Sequence, residues 1–254
     1  MRKLDYKKEI EIIIEFIRQE LSKAGLSKLI IGLSGGIDSA VTIALSIEAI
    51  GKENVIAVIM PYKSSHPDSL KHAEQFAKIL GIQYEIIDIS LMVDSYFDKY
   101  AFDADILRKG NLMARERMCI MYDLSAKYQA LVAGTGNRSE LMVGYCTQYG
   151  DNACAFEPLG HLYKTEVREM ARILKVPEYI IDKQPSADLW QEQTDEDELG
   201  ITYDELDEIL YNLFDLKKTR KELINKGFSK ENIEKVLDLN KRSEFKRNTP
   251  AMIG

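Results

Sequence analysis

Between Leu29 and Gly51 the chain reads LIIGLSGGIDSAVTIALSIEAIG, so that Ser34-Gly35-Gly36-Ile37-Asp38-Ser39 joins a strand-like apolar run to a helix-like one. Two successive glycines let the backbone turn with no Cβ in the way. Consecutive N–H groups can then face inward as an anion nest, at the end of a helix whose dipole favours negative charge. Ser34 and Ser39 add hydroxyl donors. Asp38 puts a carboxylate where phosphate would sit, an arrangement that is repulsive unless a cation such as Mg2+ lies between them. The segment fits neither G-x-x-x-x-G-K-[ST] nor G-x-G-x-x-G, so the phosphate chemistry must work without a loop lysine.

The other reactive residue types read as ordinary. Cys119, Cys146 and Cys154 make no C-x-x-C pair, which argues against a disulfide framework or a zinc cluster and for a reducing compartment. None is expected to act covalently. His66 and His72 are off the i, i+3/i+4 spacing of helical metal ligands, and His161 is distant in sequence.

A loop of this kind needs a strand before it and a helix after it. β-branched runs at 28–33, 54–61 and 84–89 alternate with helical patterns at 38–50 and 66–80, and a fourth run at 130–135 follows a long helical segment at 110–128. This order predicts an α/β fold, a Rossmann-like parallel sheet flanked by helices, with ligands at the loops 34–39, 61–69 and 134–140. Ahead of it an opening helix carries Ile10, Ile13, Ile14, Ile17 and Leu21, with Ile12 and Phe16 as a second ridge. It serves either its own core or a subunit contact. Beyond Pro158 the pattern is helical, a C-terminal extension over about 164–254. Within it, residues 183–200 are acidic and aperiodic, and read as a solvated loop or as a lid that orders over ligand. One domain spanning 1–254 suffices.

Lys+Arg 34 against Asp+Glu 41 gives a net charge of -7, which speaks against a general affinity for nucleic acid or anionic lipid. The N-terminal stretch lacks a signal-peptide pattern and no run approaches membrane-spanning length, so a cytoplasmic protein is expected.

S-G-G-x-D-S after the first strand resembles the pyrophosphate loop of the N-type ATP pyrophosphatases, whose fold is adenine nucleotide alpha hydrolase-like. Within that group KGNLMARERM (109–118), GTGNRSELMVGYCTQYGD (134–151), PLGHLYKTEVREMA (158–171), KQPSADLWQEQTDEDELG (183–200) and FKRNTP (245–250) together resemble the ammonia-dependent NAD synthetases. The resemblance implies ATP-dependent amidation of deamido-NAD to NAD through an adenylated intermediate, releasing AMP and pyrophosphate. It implies ATP contacts at Gly32, Leu33, Ser34, Gly35, Gly36, Ile37, Asp38, Ser39, Thr135, Lys164 and Ser186, and Mg2+ ligation by Asp38 and Glu140. Arg115, Thr147, Gln148, Ala155, Phe245 and Lys246 fall at positions that shape the deamido-NAD site, with Asp38, Lys164 and Asp151 nearest the chemistry. Gln148 and Ala155 stand where lysine and aspartate are common, Phe245 where histidine is frequent, and Ser186 keeps the hydroxyl of a usual threonine. Asp151 is the carboxylate available in place of the one missing at Ala155. A homodimer is also implied, with dinucleotide near the subunit boundary. The short length leaves no room for a glutaminase domain, so free ammonia is the expected nitrogen donor. The competing readings are a tRNA-thiolating or nucleotide-amidating pyrophosphatase, and a nucleotide-binding regulatory module without turnover.

Overall fold

The computed structural model describes residues 2–190, 193–250 and 252–253. In chain order the elements are α1 (Tyr6–Ala24), β1 (Lys28–Gly32), α2 (Ile37–Ile50), β2 (Val55–Ile59), α3 (Pro67–Leu80), β3 (Gln83–Ile86), α4 (Ser90–Tyr100), α5 (Ile106–Tyr128) and β4 (Ala130–Val132). There follow α6 (Arg138–Val143), α7 (Lys164–Ile173), α8 (Glu178–Ile181), α9 (Asp195–Leu199), α10 (Tyr203–Leu210), α11 (Arg220–Asn225) and α12 (Lys230–Arg242). The four strands form one parallel sheet in the order β3-β2-β1-β4, with Ile30 opposite Ile56 on one side and Val132 on the other.

The period of two along β1 and β2 decides which layer each side chain joins. Leu29, Ile31, Val55, Ala57 and Ile59 point into a core shared with α1, α2, α3 and α7, whereas Ile30, Ile56 and Val58 meet Met121 and Leu124 of α5 on the opposite face. Runs apolar on both faces are what a parallel sheet covered by helices requires. α2, which follows the glycine loop, is buried nearly all round, from Ile37 through Val41 and Leu45 to Ala49. The loop is therefore anchored to a helix packed on nearly every side.

Of the two readings of the opening helix, burial within the chain holds for its main ridge: Ile13, Ile17 and Leu21 are buried against the first core, while Ile12 is exposed. The helical C-terminal part has a separate core of Tyr163, Tyr203, Leu206, Ile209, Leu223, Ile233 and Val236, covering α6 and α7 from the far side. Three helices lie where no helix was anticipated; one is α9, which puts Asp195–Leu199 of the acidic segment read as aperiodic into a helix capped by Thr194. α4 turns an unusually apolar surface outward, including Leu91 and Tyr96, which hides an amphipathic period. α6 is short, but Asn137 and Glu140 form a capping box at its start. Among the described residues no helix is long and apolar enough to cross a membrane.

Candidate active site

Because β1 is central, the loops leaving β1, β2 and β4 come side by side at the carboxyl ends of the strands. They border a cavity of about 590 Å³. Gly32, Leu33, Ser34, Gly36, Ile37, Asp38 and Ser39 line it from the first loop, Pro61, Ser65 and Ser69 from the second, and Gly134, Thr135 and Glu140 from the third.

Its own hydroxyls hold the glycine loop in shape. The Gly36 N–H donates to Ser34 Oγ at 3.2 Å, the Ser34 N–H to Ser39 Oγ at 3.3 Å, and Ser39 Oγ to the Gly36 carbonyl at 2.9 Å. Gly35 has φ +78°, and a Cβ there would lie 2.4 Å from the Ser69 carbonyl oxygen, so this position requires glycine twice over.

Asp38 opens α2 and Lys164 opens α7; both side chains point to the same spot. Lys164 Nζ donates to Asp38 Oδ2 at 2.6 Å and to Glu140 Oε1 at 3.0 Å, with only 3% of its side chain exposed. Asn137 ties the pair to α6: its Oδ1 accepts the Glu140 N–H at 3.1 Å while its Nδ2 donates to Asp38 Oδ1 at 2.9 Å. Burial alone would lower the Lys164 ammonium, but Asp38 and Glu140 outweigh it and raise it well above the ordinary lysine value. Burial pushes the Glu140 carboxyl upward against the pull of Lys164. Two carboxylates therefore already share one cation, an oxygen donor set that suits a hard divalent ion.

Thr147, Asp151, Ser186 and Lys246 also line the cavity. Asp151 Oδ1 accepts the Thr147 N–H at 2.7 Å, and Lys246 Nζ donates to the carbonyls of Gly144 and Cys146 at 2.7 and 2.6 Å. Arg115, Gln148, Ala155 and Phe245 are not brought to the cavity. Arg115 is exposed and donates to the Gln148 carbonyl at 3.3 Å, Ala155 is exposed, and Phe245 is 57% exposed on the turn after α12. His66 is not among the lining residues; it caps α3, its Nδ1 accepting the Asp68 N–H at 3.2 Å.

Of the acidic segment at 183–200, Gln191 and Glu192 lie outside the described residues. Residues 183–190 run along the cavity, with Asp188 Oδ1 accepting the His66 N–H at 2.8 Å and Leu189 packed near Val93 and Phe97 of α4.

Five residues that sequence reasoning passed over complete the site. Asn137 was findable from its capping-box spacing to Glu140. Glu157, Arg117, Lys183 and Asp195 had no local signal. The Gly136 N–H donates to Glu157 Oε2 at 2.9 Å, and burial pushes this carboxyl up to about 7. Arg117 Nε donates to the Met60 carbonyl at 3.0 Å, and Asp195 accepts from the Tyr203 hydroxyl at 3.0 Å. Burial pushes the Cys146 thiol up to about 12 and raises Cys154 as well, so neither is a thiolate at neutral pH.

A glycine loop without lysine beside an ammonium held by two carboxylates narrows the field, and residues 9–250 match the NAD synthase family. The chain belongs to that family. An NH(3)-dependent NAD(+) synthetase from Fusobacterium nucleatum is 50% identical over 252 residues, covering 98% of this chain and 97% of that one. Among solved structures, an NMN synthetase from Francisella tularensis superposes with a TM-score of 0.88 at 31% identity over 99% of each chain. An NH3-dependent NAD synthetase from Campylobacter jejuni does so with 0.84 at 32% identity, over 99% of this chain and 100% of that one.

Proposed function

We propose that the chain is an ammonia-dependent NAD synthetase: it adenylates the nicotinate carboxylate of deamido-NAD with ATP, then lets ammonia displace AMP. In the first step a carboxylate oxygen attacks the α-phosphorus, and the bond to the β-phosphate bridging oxygen breaks, so pyrophosphate leaves with the electron pair. In the second, ammonia attacks the acyl carbon, the acyl–oxygen bond to AMP breaks, and the nitrogen sheds a proton to leave the amide.

The observation that carries this reading is the Lys164 ammonium held between Asp38 and Glu140 beside the glycine loop. The loop N–H groups and the Ser34 and Ser39 hydroxyls bind and orient the outer phosphates, and Lys164 neutralises charge growing on them. Among the described residues no group of three or more His, Cys, Asp or Glu is arranged to hold a metal ion. Mg2+ would thus be held by Asp38 and Glu140 together with phosphate oxygens and water, and would supply charge neutralisation at the triphosphate. Thr135 and Ser186 contact ATP, while Thr147, Asp151 and Lys246 meet the nicotinate end. No protein nucleophile is needed, in keeping with the protonated cysteines.

The same reading takes 1–254 as one synthetase domain and places it in the cytoplasm, where the free thiols of Cys119, Cys146 and Cys154 stay reduced. It also takes the chain as a homodimer. Arg115, Ala155 and Phe245 are exposed, as residues completing a dinucleotide site at a subunit boundary would be, and Leu91, Tyr100 and Phe102 expose apolar surface on and after α4.

Incubating the protein with Mg-ATP, ammonium and deamido-NAD tests the proposal: NAD, AMP and pyrophosphate in equal amounts are expected, and ADP in place of AMP would overturn it. The 0.88 superposition on an NMN synthetase favours one second reading, synthesis of NMN from the corresponding acid. Offering both acids to the same preparation decides between them.

A further inference from the structure

Lys183 stands at the start of the segment that runs along the cavity, half-buried, and no carboxylate makes an ion pair with it among the described residues. Its Nζ donates instead to Ser69 Oγ at 2.7 Å. Ser69 sits in the first turn of α3 and is 4% exposed; its carbonyl oxygen is the atom that a Cβ on Gly35 would strike at 2.4 Å. One residue therefore touches both the ammonium and the phosphate loop. Lys183 and Ser69 line the same cavity as Ser34, Gly36 and Ser39.

The contrast with Lys164 is informative. Lys164 is buried against two carboxylates, whereas Lys183 is desolvated against a neutral hydroxyl, which satisfies one hydrogen bond and cancels no charge. Burial holds its ammonium below the ordinary lysine value, and Asp188 and Asp68 recover only part of that loss. A cation left without a counter-ion at the wall of a nucleotide cavity is matched by an anion from outside the chain. Topology sets the side: Glu140 and Lys164 approach the loop from β4, and Ser69 with Lys183 approaches from β2.

We propose that Lys183 is a second phosphate-binding cation, contacting the outer phosphates of ATP in the Gly35–Gly36 loop from the β2 side and stabilising pyrophosphate as it leaves. This rests on the adenylation reading above. The charge that a Walker-type loop carries within its own motif would here come from a segment far downstream, positioned by the Ser69 hydroxyl.

The test is titration of magnesium pyrophosphate into wild type, Lys183→Met and Lys183→Arg, with NAD formation and thermal melting measured on the same preparations. Lys183→Met is expected to weaken pyrophosphate binding by about 10-fold or more and lower kcat by about 100-fold, with KM for deamido-NAD unchanged. Lys183→Arg should retain most of both, and Ser69→Ala should give a smaller loss in the same direction. If Lys183→Met melts as a folded protein and binds pyrophosphate as tightly as wild type, the proposal fails. Should Lys183→Met not fold, Ser69→Ala and Lys183→Arg decide: unchanged pyrophosphate affinity in Ser69→Ala, or loss in Lys183→Arg as great as in Ser69→Ala, overturns it. Lysine-dependent pyrophosphate binding in a wild type that makes no NAD would uphold this assignment and sink the synthetase reading instead.

Discussion

Lys164 faces two carboxylates with 3% of its side chain exposed, so single substitutions around it separate stability from chemistry. Lys164→Met leaves Asp38 and Glu140 facing each other, and breaking a buried pair from one side costs about 3–5 kcal/mol, which urea unfolding would register. Asp38→Asn keeps the shape and the Asn137 contact on one oxygen but loses a charge. NAD formation is expected to fall at least about 100-fold, with a smaller loss of stability than in Lys164→Met because Glu140 still faces the ammonium. Glu157 supplies a pH test. Burial raises its native carboxyl to about 7, so between the ordinary glutamate value and about 7 the native state holds a proton that the unfolded chain has lost. The sign follows: stability is greatest below the ordinary value and declines as pH rises to about 7. Glu157→Gln removes that decline, and urea midpoints at pH 5 and pH 8 should show the variant gaining on wild type by on the order of 2 kcal/mol at the higher pH.

At the scale of elements, the site depends on how α2 and α6 begin. Asn137 caps α6 and donates to Asp38, so Asn137→Ala should cost about 1–2 kcal/mol of stability and also lower kcat, because Asp38 loses its fixed orientation. A cap without the second contact would move stability alone. Gly35→Ala asks for a left-handed residue with a Cβ pressed on the Ser69 carbonyl. The backbone term alone is about 1–2 kcal/mol, and the contact forces α3 away from the loop. ATP affinity, read by calorimetry, should fall more than stability does.

Over the whole molecule, the apolar surface of α4 and the start of α5 has no cover among the described residues. Leu91 is 79% exposed and Phe102 87%. Sedimentation should report twice the 29.0 kDa chain mass, and Leu91→Glu with Phe102→Glu should shift the mass towards that of one chain. If the rim residues Arg115 and Phe245 work at a subunit boundary, the same pair should raise KM for deamido-NAD and spare ATP binding.

Local pattern was enough for the glycine loop, the four parallel strands and α2, α3 and α5 between them, though not for α4, because β-branched runs, helical spacing and paired glycines act over a few residues. Asp38 was legible in the glycine motif itself, whereas Glu140 and Lys164 came only through the resemblance of their segments to a known family. Lys183, Glu157 and Arg117 were not readable in that way: their meaning comes from what lies opposite them, Ser69, Gly136 and Met60, and from the water that packing removes. Type and spacing say which groups are available to the chemistry, while burial and partnership, which exist only once distant segments meet, decide which of them stay charged, which are paired, and which are left facing the cavity.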